Sequence, residues 1–199
     1  RDMGDSRLPW LIVQLGCHIA PDGEYWNSIQ DQQRRLPERI DNLDVAPAID
    51  LVLDDGIHIG GVGQRVLGKR LARIADRLVN KNTKAKGSLT IKNIDVSFKA
   101  PYAGDPETCV IEVTYNNVVG KLESQGRPAG FTLVNDTGEN IRGIYKTQLR
   151  GNTVVLESDH GLEGTLKAHL SYGHGRHSYC NITDSDGMSL PVFKGILLV

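Results

Sequence analysis

Hydrophobic periodicity in this chain changes character near residue 85, and that change limits the folds open to it. Before that point apolar residues come in short runs separated by helical spacings; after it they alternate with polar ones. Leu11-Ile-Val-Gln-Leu15 is an apolar run closed by Gly16, the pattern of a buried parallel strand. Beyond the polar loop Pro21-Asp-Gly-Glu24, Ile29, Gln33, Leu36 and Ile40 fall at helical spacing within Tyr25 to Ile40. Val45 to Leu53 reads as a second buried strand, with Pro47 near its start and Asp50 within it. Gly60 to Leu78 is the clearest helix, its stripe built from Val62, Val66, Leu67, Leu71, Ile74 and Leu78. Arg65, Lys69, Arg70, Arg73 and Arg77 fill the other face, which is expected to be solvated. The order strand, helix, strand, helix predicts a parallel sheet with helical crossovers.

After Val79 the polar, basic stretch to Lys86 offers no large core residue, and it sets a boundary between residues 1–85 and 86–199. Period-two alternation then recurs at Leu89 to Phe98, Cys109 to Tyr115 and Val154 to Leu156, separated by Gly-containing turns. Short strands at such intervals predict an antiparallel β-sandwich of jelly-roll kind. Two parallel strands and two helices, by contrast, cannot cover both faces and both edges of an α/β sheet. Residues 1–85 are therefore expected to be the C-terminal portion of a larger α/β domain, completed by another polypeptide.

Composition excludes little else. Of 199 residues 39% are hydrophobic and 24% charged, and the formal net charge of −1 gives no field to draw nucleic acid or an anionic membrane. No apolar run approaches the roughly 20 residues of a transmembrane helix. Cys17, Cys109 and Cys180 are widely spaced and neither demand an oxidising compartment nor forbid one. Asn135-Asp-Thr and Asn181-Ile-Thr are acceptor sequons that matter only in a eukaryotic secretory pathway.

At the end of the second expected strand stands Leu53-Asp-Asp-Gly-Ile-His58, directly before the strong helix. In open parallel sheets catalytic groups lie beyond the carboxyl ends of the strands. A spacing of three lets the Asp55 carboxylate turn back onto an imidazole nitrogen of His58, fixing its tautomer and stabilising the imidazolium. The competing reading is a loop Asp that caps the next helix beside an exposed His. Asp54 is the fallback orienter should the loop register differ.

Several stretches, taken in order, resemble sialate O-acetylesterase-like carbohydrate esterases of the SGNH (GDSL-type) hydrolase class. They are Leu8 to Leu15, Ile29-Gln-Asp-Gln-Gln33, Asp50 with Asp55-Gly-Ile-His58, and Leu67-Gly-Lys-Arg-Leu-Ala72. Ala129-Gly-Phe131, Ser171 to Gly175 and Cys180 to Phe193 resemble the C-terminal β domain of the same enzymes. Gln30 stands where the family usually has Arg, and Ile59 where many members have Pro. The resemblance implies the C-terminal part of an SGNH α/β/α parallel-sheet domain followed by the β-sandwich. It implies a serine esterase that releases acetate from O-acetylated sugars, with Asp55 and His58 as orienter and base and with no cofactor or metal. The nucleophilic Ser and the oxyanion hole would come from an N-terminal polypeptide of the same enzyme, and the resemblance favours a secreted, periplasmic or lysosomal location.

Gly4-Asp-Ser6 spells the start of the GDSL signature, yet Ser6 precedes the first strand and so lies at its amino end. Five or more extended residues leave it roughly 20 Å from His58, whereas a nucleophile must sit within about 3 Å of its base. A surface turn is the better reading. His174, His177 and Cys180 are spaced like metal ligands but have no fourth partner at a recognisable spacing, and local loop histidines are expected. Trp10 is expected in the core, and Trp26 is the better candidate for a sugar contact. Two other functions stay open: a carbohydrate- or protein-binding module with an inactive hydrolase remnant, and a structural fragment.

Overall fold

The computed structural model describes residues 8–19, 23–100, 108–159 and 167–198. Ser6 and the Pro21-Asp22 turn lie outside the described residues.

Strands β1 (Trp10–Gln14) and β2 (Leu43–Pro47) pair in parallel, Trp10 opposite Leu43 and Gln14 opposite Pro47. The connection is α1 (Gly23–Arg34) and a single 3-10 turn at Leu36–Glu38. The helix stops well short of Ile40 because Pro37 lacks the N–H that would continue it and biases Leu36 away from the α-region. Every residue of β2 is buried, and the strand ends at Pro47 rather than Leu53. Pro47 cannot donate to a ladder, and Ala48 begins a turn closed by Leu51 N–H on Ala48 O.

The strong helix forms as expected, as α2 (Gly61–Leu78). Its basic face is another matter. Arg70, Arg73 and Arg77 recur at helical spacing and share the inward side with Ile74 and Leu78. Arg70 and Arg73 side chains are 2% and 9% exposed, and each of the three is ion-paired, to Asp50, Asp184 and Asp44 respectively. Arg65 and Lys69 alone of that set face solvent.

Beyond residue 89 all elements among the described residues are strands. β3 (Thr90–Lys99), β4 (Thr108–Asn116), β8 (Thr153–Ser158) and β7 (Ile144–Arg150) make a four-stranded antiparallel sheet in the order β3-β4-β8-β7. β11 (Phe193–Leu197), β9 (His169–Tyr172) and β6 (Phe131–Val134) make a three-stranded sheet, and β10 (Ile182–Asp184) pairs with β5 (Leu122–Ser124). Alternate residues Cys109, Ile111, Val113 and Tyr115 of β4 point into one core that also takes Leu133, Leu170, Tyr172, Ile182 and Phe193 from the smaller sheets.

Three stretches that carried the family resemblance meet in this core. Phe131 lies against Tyr172 with ring centroids 4.8 Å apart. Gly130, at φ +120°, passes so close beneath Tyr172 and Cys180 that a Cβ would fall 2.5 Å from the Tyr172 ring. Only glycine fits that approach.

The β part does not stand apart from β1, β2 and their helices. Ile49 belongs to the same core cluster. Gln14, fully buried, donates from Nε2 to Gln30 O and Val192 O, at 2.8 and 2.9 Å, and accepts Val192 N–H at 2.9 Å. Asn27 donates to Gly173 O and accepts Gly175 N–H. Arg73 donates to Asp184 at 2.7 Å and to the carbonyls of Lys86, Gly87 and Asn117.

Candidate active site

The segment from Ala48 to Gly60 leaves the carboxyl end of β2 and returns into α2. Its base is a small closure in which Leu53 and Ile59 form an antiparallel bridge. Asp54 N–H donates to His58 O at 2.9 Å, and Gly60 N–H to Val52 O at 3.0 Å. Gly63 in the first turn of α2 lies under Ile59, where a Cβ would come within 2.6 Å of the Ile59 side chain. Gly56 O accepts Ile19 N–H, tying the tip of the loop to the segment after β1.

Within that frame Asp55 and His58 come together. Asp55 Oδ1 accepts the backbone N–H groups of Ile57 and His58, at 2.8 and 2.7 Å. Asp55 Oδ2 lies 2.7 Å from His58 Nδ1. The backbone donors of His58 and Ile57, and then the His58 ring, hold the Asp55 carboxyl down at about 2. An ionised Asp55 can only accept, so Nδ1 carries the proton and a neutral ring presents its lone pair at Nε2. That nitrogen has no hydrogen-bond partner among the described residues, and the His58 side chain is 79% exposed. Asp54 turns away, its carboxylate lying over Gly60.

A cavity of about 370 Å³ adjoins the loop, lined by Asp55 together with Cys17, Ile49, Leu53 and Tyr179 among others. His58 is not among its lining residues and is exposed to solvent. The Cys17 thiol lies 3.4 Å from both Ile49 O and Ser178 O, and burial together with the nearby Asp50 charge raises its pKa. Cys180, in the same wall, is pushed up by burial to about 12, so neither thiol is poised as a nucleophile.

Asp50, read from the sequence as lying within the second strand and as part of the family pattern, falls after β2 and anchors the loop from below. Arg70 grips it with two parallel bonds, Nη1 to Oδ1 at 2.7 Å and Nη2 to Oδ2 at 2.6 Å. The same guanidinium donates to Pro47 O at 2.7 Å and to Gly187 O at 2.8 Å. One side chain thus joins the end of β2, the loop and the β part. Arg70 lies four residues before the inward Ile74, but the spacing alone does not name Asp50 as its partner.

The remaining candidates fall out as follows. Gln30, in place of the family's Arg, is buried and donates to Leu15 O and Gly16 O, so an amide holds the end of β1 here. Trp10 is 52% exposed on β1, not in the core, because among the described residues nothing covers that end of the two-stranded sheet. Trp26 donates its indole N–H to Gly16 O and tilts against His18 with centroids 4.4 Å apart, so it braces the loop after β1. His177 is exposed while Cys180 is buried, and among the described residues no group of three His, Cys, Asp or Glu side chains could hold a metal ion.

Neither a protein-family model nor a curated protein matches the sequence. The fold does have a counterpart among solved structures. A carbohydrate acetylesterase from Xanthomonas citri superposes with a TM-score of 0.71 at 21% identity, over 96% of this chain and 41% of that one. The chain therefore spans about two fifths of the length of that protein and shares the fold of that part of it.

Proposed function

We propose that this chain is the C-terminal part of an SGNH-type carbohydrate O-acetylesterase, contributing Asp55 and His58 to a Ser-His-Asp site. The observation that carries the reading is the 2.7 Å pair between Asp55 Oδ2 and His58 Nδ1, with Nε2 left exposed at the carboxyl end of a parallel strand pair. The fold shared with a carbohydrate acetylesterase supports it. The uncovered β1 supports a further element of the reading. Trp10 and Leu11 are 52% and 37% exposed, and β1 has a single strand neighbour among the described residues. A preceding polypeptide segment would complete the sheet there and supply the Ser, with residues 1–85 finishing the catalytic domain and 86–199 forming the second one.

In this scheme the Ser Oγ attacks the acetyl carbonyl as His58 Nε2 takes its proton, and Asp55 stabilises the imidazolium across Nδ1. The tetrahedral intermediate expels the sugar oxygen, which takes the proton from Nε2. Water then attacks the acyl-serine with His58 again as base, releasing acetate. In the assembled enzyme His58→Ala is expected to lower kcat on an O-acetylated sugar by about three orders of magnitude or more, with folding intact. Asp55→Asn should cost less. Wild-type activity in His58→Ala would refute the assignment.

A further inference from the structure

Two further cavities share a lining residue with the one beside Asp55. One, of about 580 Å³, runs between the start of α2 and strands β5 and β10, with Glu123, Gln125 and Thr183 in its wall. The other, of about 470 Å³, lies over the Gln125 to Gly130 turn. Tyr179 lines all three, and its side chain is among the exposed large ones at 68%. Each volume falls within the roughly 300–1,000 Å³ of small-ligand sites.

The wall opposite the ring is held in place. Asn181 donates from Nδ2 to Gln125 O at 2.8 Å and to Arg127 O at 3.0 Å, and accepts Ala129 N–H at 2.8 Å. This amide, the acceptor of a sequon, serves as a strut for the turn that presents Gln125. Gln125 itself is exposed and lines two of the cavities.

We propose that Tyr179 is the stacking platform of an oligosaccharide subsite leading away from the Asp55–His58 pair. This rests on the esterase reading above. A sugar ring has an apolar C–H face and a rim of hydroxyls. The exposed phenol offers a flat apolar face with a hydrogen-bonding tip, and amide, hydroxyl and carboxylate groups of Gln125, Thr183 and Glu123 flank it. With Leu51, Val52, Val62 and Val66 on its apolar side, that lining offers both kinds of surface a sugar ring presents. Three cavities that meet at Tyr179 in their linings suit several sugar units, with the acetylated one at the Asp55 end. Tyr179 is thus a specificity residue, acting on the part of the substrate that does not react.

The test uses the assembled enzyme and two kinds of ester. 4-Nitrophenyl acetate reports acyl transfer alone. O-acetylated xylo-, manno- and sialyl-oligosaccharides form a panel, and the one hydrolysed fastest by wild type is carried forward. Tyr179→Ala is expected to lower kcat/KM for that oligosaccharide about tenfold more than for 4-nitrophenyl acetate, mainly through KM. Tyr179→Phe, which keeps the ring, should retain most of the preference. Equal losses on both esters, or an unchanged oligosaccharide KM in Tyr179→Ala, would overturn the platform and leave the esterase reading standing. Absence of hydrolysis of either ester by wild type would overturn the esterase reading itself, and the platform with it.

Discussion

Replacing Arg70 by Ala removes the grip on the loop from Ala48 to Gly60 at a single point. The substitution deletes four hydrogen bonds, to both oxygens of Asp50 and to the carbonyls of Pro47 and Gly187. It leaves the Asp50 carboxylate, only 12% exposed, without its counter-charge. Removing one partner of a buried pair costs about 3–5 kcal/mol, and the slight exposure of Asp50 places the expected loss near the lower end, about 3 kcal/mol. For a chain of this length that corresponds to a fall in Tm of about 6–12 °C, and to a urea midpoint lower by about 1–1.5 M. Urea unfolding followed by circular dichroism gives the number. The cycle with Asp50→Ala gives the coupling. Asp50→Ala together with Arg70→Ala should cost less than the two single changes added, because neither charge is then left stranded. A loss below about 1 kcal/mol for Arg70→Ala, or additivity within about 0.5 kcal/mol, would refute the pair as the loop's anchor.

Three further outcomes can be measured. The Asp55 carboxyl, followed by NMR, should titrate near 2. Its pKa is depressed on folding, so the loop order it supports is fully present above the ordinary aspartate value of 3.8 and is lost as pH falls through about 2; a midpoint near 3.8 would contradict the geometry. Gly63→Ala should destabilise by about 1–3 kcal/mol, because its Cβ would meet Ile59 at 2.6 Å and Leu51 at 3.3 Å. Gly68→Ala, with nothing within 4 Å, should stabilise α2 by about 0.5–1 kcal/mol in thermal unfolding. Shifts in the same direction would show that the contacts under the loop do not matter.

The last helix, α2, ends at Leu78 and the run of strands begins at Thr90, on either side of the change of periodicity, and the apolar stripe of α2 located that helix within one residue. Turn chemistry placed Asp55 on His58, since a carboxylate three residues back needs no tertiary contact to reach the ring. What periodicity could not convey was competition among neighbours. An arginine at an inward helical position looks like a solvated one until the matching acid is known, and Asp50 and Asp184 lie 20 and 111 residues from their arginines. Trp10 was misplaced for the opposite reason. An apolar strand reads as buried whether or not the described residues cover it, and here they leave it half open. The short strands β5, β6, β9 and β10 were invisible as strands, being three or four residues long. The family resemblance touched β6 and β9 in part and β10 in full, and it did not reach β5.

The buried amides and guanidinium groups at the junction give the β part a say in where Asp55 sits. Gln14 is riveted to Val192, and Arg70 holds Asp50 with one edge of its fork and Gly187 with another atom of the same rigid plane. A planar guanidinium transmits displacement without slack. If the turn at Gly187 shifts by half an ångström, either the Asp50 pair stretches or the loop follows. Residues more than 120 positions downstream therefore act as the far jaw of a clamp on the loop, and shortening the chain near residue 86 would remove that jaw while leaving Asp55 and His58 in place.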